Sequence, residues 1–291
     1  MFVSEKFSSF KREVILLRFL LSRETVHAVN QKPSYKTIAI AQSLTLFLLL
    51  FSMVAGRVTI AQPVSKPVYV IVHGAWGGSW AFKKVDSLLS EKGCIVYRPS
   101  LTGQGERVHL ADSSIGLNTH INDVVNLLLY EDLHNVILIG HSYGGMVITG
   151  VADSVPERIS KMVYLDAFVP ENGDNVIGLA GARADFFKNN TVNGFMVPVW
   201  VPAGKLPPKD VPQSYKTFTD SIALDNNNRS SIPTAYILTV DKGMVPKQDD
   251  FFTQAERARN KGWKLMMFQS DHNPQWSAPE SLAQLLGDLT R

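Results

Sequence analysis

The residues best placed to do chemistry begin with Ser142, in the pentapeptide Gly140-His141-Ser142-Tyr143-Gly144. An apolar run, Val136-Ile137-Leu138-Ile139, precedes it, and the proline-free stretch Gly145 to Ala152 follows it. Strand, G-x-S-x-G and helix in that order are the context of a nucleophile elbow. So tight a turn strains the serine backbone and needs residues without Cβ atoms on either side, which Gly140 and Gly144 supply. It also sets the hydroxyl at a helix N-terminus, where backbone N–H groups favour negative charge. A serine hydroxyl is a weak nucleophile at neutral pH, so it requires a base, and the base requires an orienting acid. Of seven histidines, only His272 lies beyond both the elbow and the irregular stretch 171–231. It sits in Ser270-Asp271-His272-Asn273-Pro274, just after a β-like run at 263–269. Two acids compete to orient it: Asp241 follows the run 234–240, and Asp166 ends the run 161–165. Both fall at carboxyl ends of strands, the edge where open parallel sheets carry their sites. Asp166 has a second reading as a strand-end aspartate that bonds loop amides. An oxyanion needs two N–H donors: Tyr143, directly after the serine, and Ala75, in the loop His73-Gly74-Ala75, are the candidates.

These residues need a frame that delivers them to one place. Val68 to Val72 reads as a strand buried on both faces, and it opens into the glycine-rich loop ending at Trp80. A helix is predicted over 81–92, a strand over 94–98, a helix over 119–130, and strands over 136–139 and 161–165. A strand at 234–240, a helix near 248–260, a strand at 263–269 and a helix over 279–289 complete the chain. Strands alternating with helices predict an α/β fold with a doubly wound, mostly parallel sheet. Residues 171–231 break the rhythm with five prolines, an Asn226-Asn227-Asn228 run and many aromatics. Phe186, Phe187, Phe195 and Trp200 need something to cover, so this stretch is expected to be an inserted lid.

The chain of 291 residues carries a net charge of +3, distributed unevenly. Residues 1–61 hold eight basic and three acidic side chains, and the rest hold 21 basic and 23 acidic. The body therefore lacks the clustered positive charge of a nucleic-acid binder. Ile38 to Ala55 is an apolar stretch with Lys32 and Lys36 before it and the small-residue exit Thr59-Ile60-Ala61 after it. That pattern predicts a signal peptide cleaved before Gln62 and an exported body. The rival is an uncleaved anchor, because 18 residues reach the lower limit of a membrane span. The domain itself is expected over 62–291. A lone cysteine, Cys94, excludes an intramolecular disulfide and reads as a small core residue in a buried strand. No His/Cys/Asp cluster has metal-ligand spacing and no phosphate-binding glycine loop is present, so neither metal nor cofactor is expected. Oligomeric state is not legible.

His73-Gly74-Ala75-Trp76 through Trp80, the Gly-His-Ser-Tyr-Gly-Gly elbow, Asp241-Lys242-Gly243 and Asp271-His272 together resemble the methylesterase and hydroxynitrile-lyase branch of the α/β-hydrolase superfamily. Leu101 to Arg107 and Tyr164 to Pro170 resemble its bacterial esterase-like members. The resemblance spans 67–290 and is weakest across the lid. It implies a cofactor-free serine hydrolase with Ser142 as nucleophile, His272 as base and Asp241 as acid, and with Ala75 and Tyr143 as oxyanion donors. Aligning Asp241 with the plant acid needs a one-residue gap, which keeps Asp166 open as the alternative. The expected substrate is a small, fairly apolar carboxylic ester in a pocket near Gly74, Trp76 and Phe168. Cyanohydrin cleavage on the same three residues and non-catalytic ligand binding are the other readings. The lyases carry a threonine and a lysine where this chain has Gly74 and Asn273.

Overall fold

The computed structural model describes residues 66–289, together with Tyr35. The expected signal segment, its cleavage site and the rival membrane anchor lie outside the described residues. Among those residues, no helix is long and apolar enough to cross a membrane.

The body alternates as the hydrophobic pattern requires. Strand β1 (Val68–Val72) is followed by a single 3-10 turn and α1 (Lys83–Glu91), then β2 (Ile95–Tyr97), α2 (Leu117–Tyr130) and β3 (Val136–His141). Helix α3 (Gly144–Ser154) leaves the elbow and returns to β4 (Ile159–Leu165). The insertion contains α4 (Val176–Leu179), α5 (Ala184–Asn189), short strands β5 (Thr191–Val192), β6 (Phe195–Met196) and β7 (Gln213–Ser214), and α6 (Lys216–Thr219). Then come β8 (Thr234–Val240), α7 (Phe252–Asn260), β9 (Lys264–Gln269), α8 (Pro274–Ser277) and α9 (Pro279–Asp288). Six parallel strands form the main sheet in the order β2-β1-β3-β4-β8-β9, and β5-β6-β7 form a separate antiparallel sheet.

Alternation along the strands splits the core into two layers. Val70, Val72, Leu138, Tyr164 and Tyr236 face one way, against α2, α3 and the insertion. Tyr69, Ile71, Ile139, Val163 and Ile237 face the other, against Val85 and Leu89 of α1 and Leu282 and Leu286 of α9. Burying each such aliphatic side chain contributes roughly 1.5–3 kcal/mol, which explains why the central strands read as continuous apolar runs. The expectation of a buried strand at 94–98 needs correction. β2 is a sheet edge paired only with β1, Ile95 is exposed and Cys94 is only half-buried. An edge strand has one neighbour, so its outer flank remains open.

Parallel connectivity brings the carboxyl ends of β1, β3, β4, β8 and β9 to one edge. The oxyanion-loop candidates, the elbow, both candidate acids and His272 all follow those ends.

Candidate active site

The elbow has the strain its sequence predicts. Ser142 adopts φ +53°, the left-handed region that L-residues with side chains rarely occupy. A Cβ on Gly140 would lie 2.6 Å from the Gly144 carbonyl oxygen, and one on Gly144 would lie 2.6 Å from the Val72 carbonyl oxygen. One of these backbone atoms belongs to the first turn of α3 and the other to β1, so neither can give way locally and both positions require glycine. Ser142 N–H donates to the Leu165 carbonyl (3.2 Å), and Phe168 N–H donates to the Ser142 carbonyl (3.1 Å). The turn is thereby anchored to β4 and the loop beyond it.

His272 bridges two partners. Its Nδ1 lies 2.7 Å from Asp166 Oδ2, and its Nε2 lies 3.0 Å from Ser142 Oγ. A carboxylate only accepts, so Nδ1 carries the proton and Nε2 is left as the acceptor for the serine hydroxyl. Asp166 is fully buried, and its other oxygen accepts the Thr239 N–H at 3.1 Å. This corrects the acid implied by the resemblance: the carboxylate that meets the imidazole is that of Asp166, and Asp241 does not touch it. Asp241 is exposed beyond β8, and its turn is closed by its backbone carbonyl, which accepts from Met244 N–H. The reason lies in the sheet. β4 is hydrogen-bonded to β3 with Leu165 opposite His141, so the next residue on each strand, Asp166 and Ser142, is delivered side by side. Asp166 bends back at φ +45°, and its N–H donates to Ile237 (2.8 Å).

The loop after β1 is fixed by a histidine whose role the sequence left unassigned. His73 Nε2 accepts the Leu101 N–H (3.1 Å), so its Nδ1 carries a proton and donates to the Gly74 carbonyl (2.7 Å). That carbonyl and the Ala75 N–H belong to one planar trans peptide and point oppositely, so the bond aims the Ala75 N–H. Trp76 N–H is held by Gln213 Oε1 at 2.9 Å, and Gln213 comes from the insertion. Behind the elbow, His141 Nε2 lies 2.8 Å from the His272 carbonyl, and His120 Nδ1 lies 3.0 Å from the Tyr143 hydroxyl. These long-range bonds leave no local signal in the chain.

A cavity of about 600 Å³ opens on Ser142 and His272. Gly74, Ala75, Trp76, Tyr143 and Phe168 all line it, as does the insertion through Phe186, Phe187, Trp200 and Phe218. Phe195 does not reach it and pairs instead within the small antiparallel sheet. Trp80, Gln275 and Trp276 also border the cavity, none of them singled out by pattern alone. Among the described residues, no cluster of three or more His, Cys, Asp or Glu could hold a metal ion.

Three buried histidines set an acid limit on the fold. Burial lowers the pKa of His73 and His120 from 6.5 to about 4, and that of His141 to about 3. Below pH 6.5 the unfolded chain therefore binds protons that the folded chain refuses, so stability is full above 6.5 and declines toward pH 4. Asp249, raised from 3.8 to about 6 by burial and by the charge of Asp166, and Asp210, raised by burial, act in the opposite sense, two acids against three histidines. The urea midpoint at pH 5 is expected to fall well below that at pH 7.5. Equal midpoints would mean that these histidines are not buried neutral.

Residues 69–285 match the alpha/beta hydrolase family, and the chain belongs to it as an esterase-like member. It is 35% identical to a carbendazim hydrolyzing esterase of Nocardioides sp. (strain SG-4G) over 248 residues, which cover 76% of this chain and 98% of the relative. It is 24% identical to putative methylesterase 11, chloroplastic, of Arabidopsis thaliana over 255 residues, 77% of this chain and 64% of that protein. Among solved structures, an extracellular alpha/beta-hydrolase from a Paenibacillus species aligns with a TM-score of 0.65 at 22% identity, covering 76% of this chain and 98% of that one. The last likeness carries the fold alone.

Proposed function

We propose that this protein is a serine hydrolase that cleaves small, fairly apolar carboxylic esters through an acyl-enzyme. The observation that carries the reading is the unbroken chain from Asp166 through His272 to Ser142, with Ser142 and His272 both lining the cavity. In the first half-reaction, Ser142 Oγ bonds to the acyl carbon and the carbonyl π pair moves onto its oxygen. His272 Nε2 takes the hydroxyl proton. The Ala75 and Tyr143 N–H groups receive the oxyanion. Collapse breaks the bond to the leaving oxygen, which takes the proton from His272 Nε2. Water repeats the sequence, releases the acid and restores Ser142. Asp166 keeps the imidazole in the receptive tautomer and stabilises the imidazolium. The relatives named as a carbendazim hydrolyzing esterase and as a methylesterase support ester chemistry.

Two neighbours of the site favour hydrolysis over cyanohydrin cleavage. A Cβ on Gly74 would lie 3.0 Å from His141 Nδ1 and 3.1 Å from Ser142 Cβ. The threonine of the lyases would therefore crowd the nucleophile in this backbone. Asn273, next to the base, is neutral, so the position adjoining His272 offers no positive charge to a departing cyanide. The purified body is expected to hydrolyse short-chain aryl esters and to release no cyanide from mandelonitrile above the buffer rate. Cyanide release that requires Ser142, without ester turnover, would replace this reading with the lyase. A single stoichiometric acylation without turnover would replace it with ligand binding.

A further inference from the structure

The cavity has two aromatic walls, and the chemistry of the proposed hydrolase assigns them different jobs. One wall lies on the oxyanion side. Trp76 belongs to the β1 loop, Phe218 packs 5.7 Å from both Trp76 and Tyr143, and Phe187 lies 5.1 Å from Phe218. Phe187 and Phe218 are fully buried at the base of this wall, and Phe186 and Trp200, packed against Phe187 and Trp76, carry it out to the rim. The other wall lies on the base side. Trp276 follows His272 by four residues on α8, and its ring stacks on Trp80 at 5.5 Å and 14°. The short helix is tied to the base loop: Trp276 N–H donates to Asn273 (2.9 Å), and Ser277 Oγ donates to Asp271 (2.8 Å). Trp276 remains 49% exposed although its neighbour Gln275 is buried, so an indole stands half-uncovered at the rim of the cavity.

His272 Nε2 must hand its proton to the leaving oxygen, so the alcohol portion of the ester occupies the His272 side of Ser142. The acyl portion is directed to the remaining wall. We infer that the stacked Trp80–Trp276 pair is a leaving-group subsite that takes the flat aromatic face of the departing alcohol, and that the Trp76–Phe187–Phe218 wall receives the acyl group. The inference rests on the ester-hydrolase reading. Its substrate class is a small carboxylic ester whose alcohol portion carries an aromatic ring. Offset stacking of an aryl group on an indole favours such an alcohol over methyl by about fivefold to tenfold.

The test compares methyl and 2-naphthylmethyl butyrate, two esters with one acyl group and alkyl alcohols, on full-length enzyme normalised by active-site titration. In Trp276→Ala the ratio of kcat/KM for the naphthylmethyl ester to that for the methyl ester is expected to fall about fivefold to tenfold. Trp276→Phe keeps an aromatic face and is expected to restore most of the ratio, which also guards against a misfolded alanine variant. Across an added series of methyl esters from acetate to octanoate, Phe187→Leu is expected to change the ranking of acyl lengths and not the alcohol ratio. Equal losses on both esters in Trp276→Ala, or a change confined to acyl ranking, would overturn the subsite. No turnover of any ester by the wild type would remove the hydrolase reading and the subsite with it. Turnover with an unmoved ratio removes the subsite alone.

Discussion

Ser142→Ala is expected to lower ester turnover by at least 10³ and, if the three residues act as one unit, by about 10⁶. The argument begins with the backbone. Ser142 is held at φ +53° by glycines that cannot accept a Cβ, and its Oγ lies 3.0 Å from a bare imidazole nitrogen. Strain of this kind costs on the order of 1–3 kcal/mol and persists because the surrounding sheet over-determines it. Alanine keeps the strain and the packing and removes only the atom that bonds to the acyl carbon. The variant should therefore unfold at nearly the wild-type temperature while losing the acyl-enzyme, which mass spectrometry after rapid quench would detect in the wild type. Retention of more than a tenth of the wild-type rate by clean protein would sink the assignment.

Asp166→Asn should lower kcat on the order of 10⁴-fold with little change in KM. Thr239 N–H donates to Asp166 Oδ1, so the amide oxygen of an asparagine must occupy that position. Its NH₂ group then replaces Oδ2 and faces His272 Nδ1, which is 2.7 Å away in the native structure. An amide nitrogen donates, so Nδ1 must become the acceptor and the ring proton must move to Nε2. That tautomer cannot receive the serine proton. The opposite amide orientation sets NH₂ against the Thr239 N–H and leaves two donors facing each other in a buried site. Asp241→Asn touches neither group and should stay within about threefold of wild type, as expected of a surface change remote from the reacting atoms. Steady-state kinetics of the two variants at matched thermal stability decide the matter. A larger loss in the Asp241 variant would restore the acid that the resemblance implies.

The contrast between these two acids marks what the chain's local pattern can and cannot determine. Gly140-His141-Ser142-Tyr143-Gly144 between an apolar run and a helix-forming stretch was legible because the turn's strain depends on residues within a few positions of each other. The alternation of strands and helices was legible for the same reason: a strand buried on both faces must be apolar throughout, and Val68–Val72 and Val136–Ile139 are. His272 could be singled out by chain order and by its place after a strand. The choice of acid could not, because Asp166 and Asp241 both end strands and differ locally only in their loops. Strand neighbours decided it: β4 lies directly beside β3, whereas β8 is one strand further out. Contacts made across more than a hundred residues, such as His141 with the His272 carbonyl and Gln213 with Trp76, likewise exist only once the sheet has closed. Sequence determines which peptide segments can bend, bury or donate, since those properties belong to each residue and its near neighbours. The tertiary structure alone decided which carboxylate meets the imidazole and which aromatic rings share a cavity with the serine, because those distances depend on how distant segments pack.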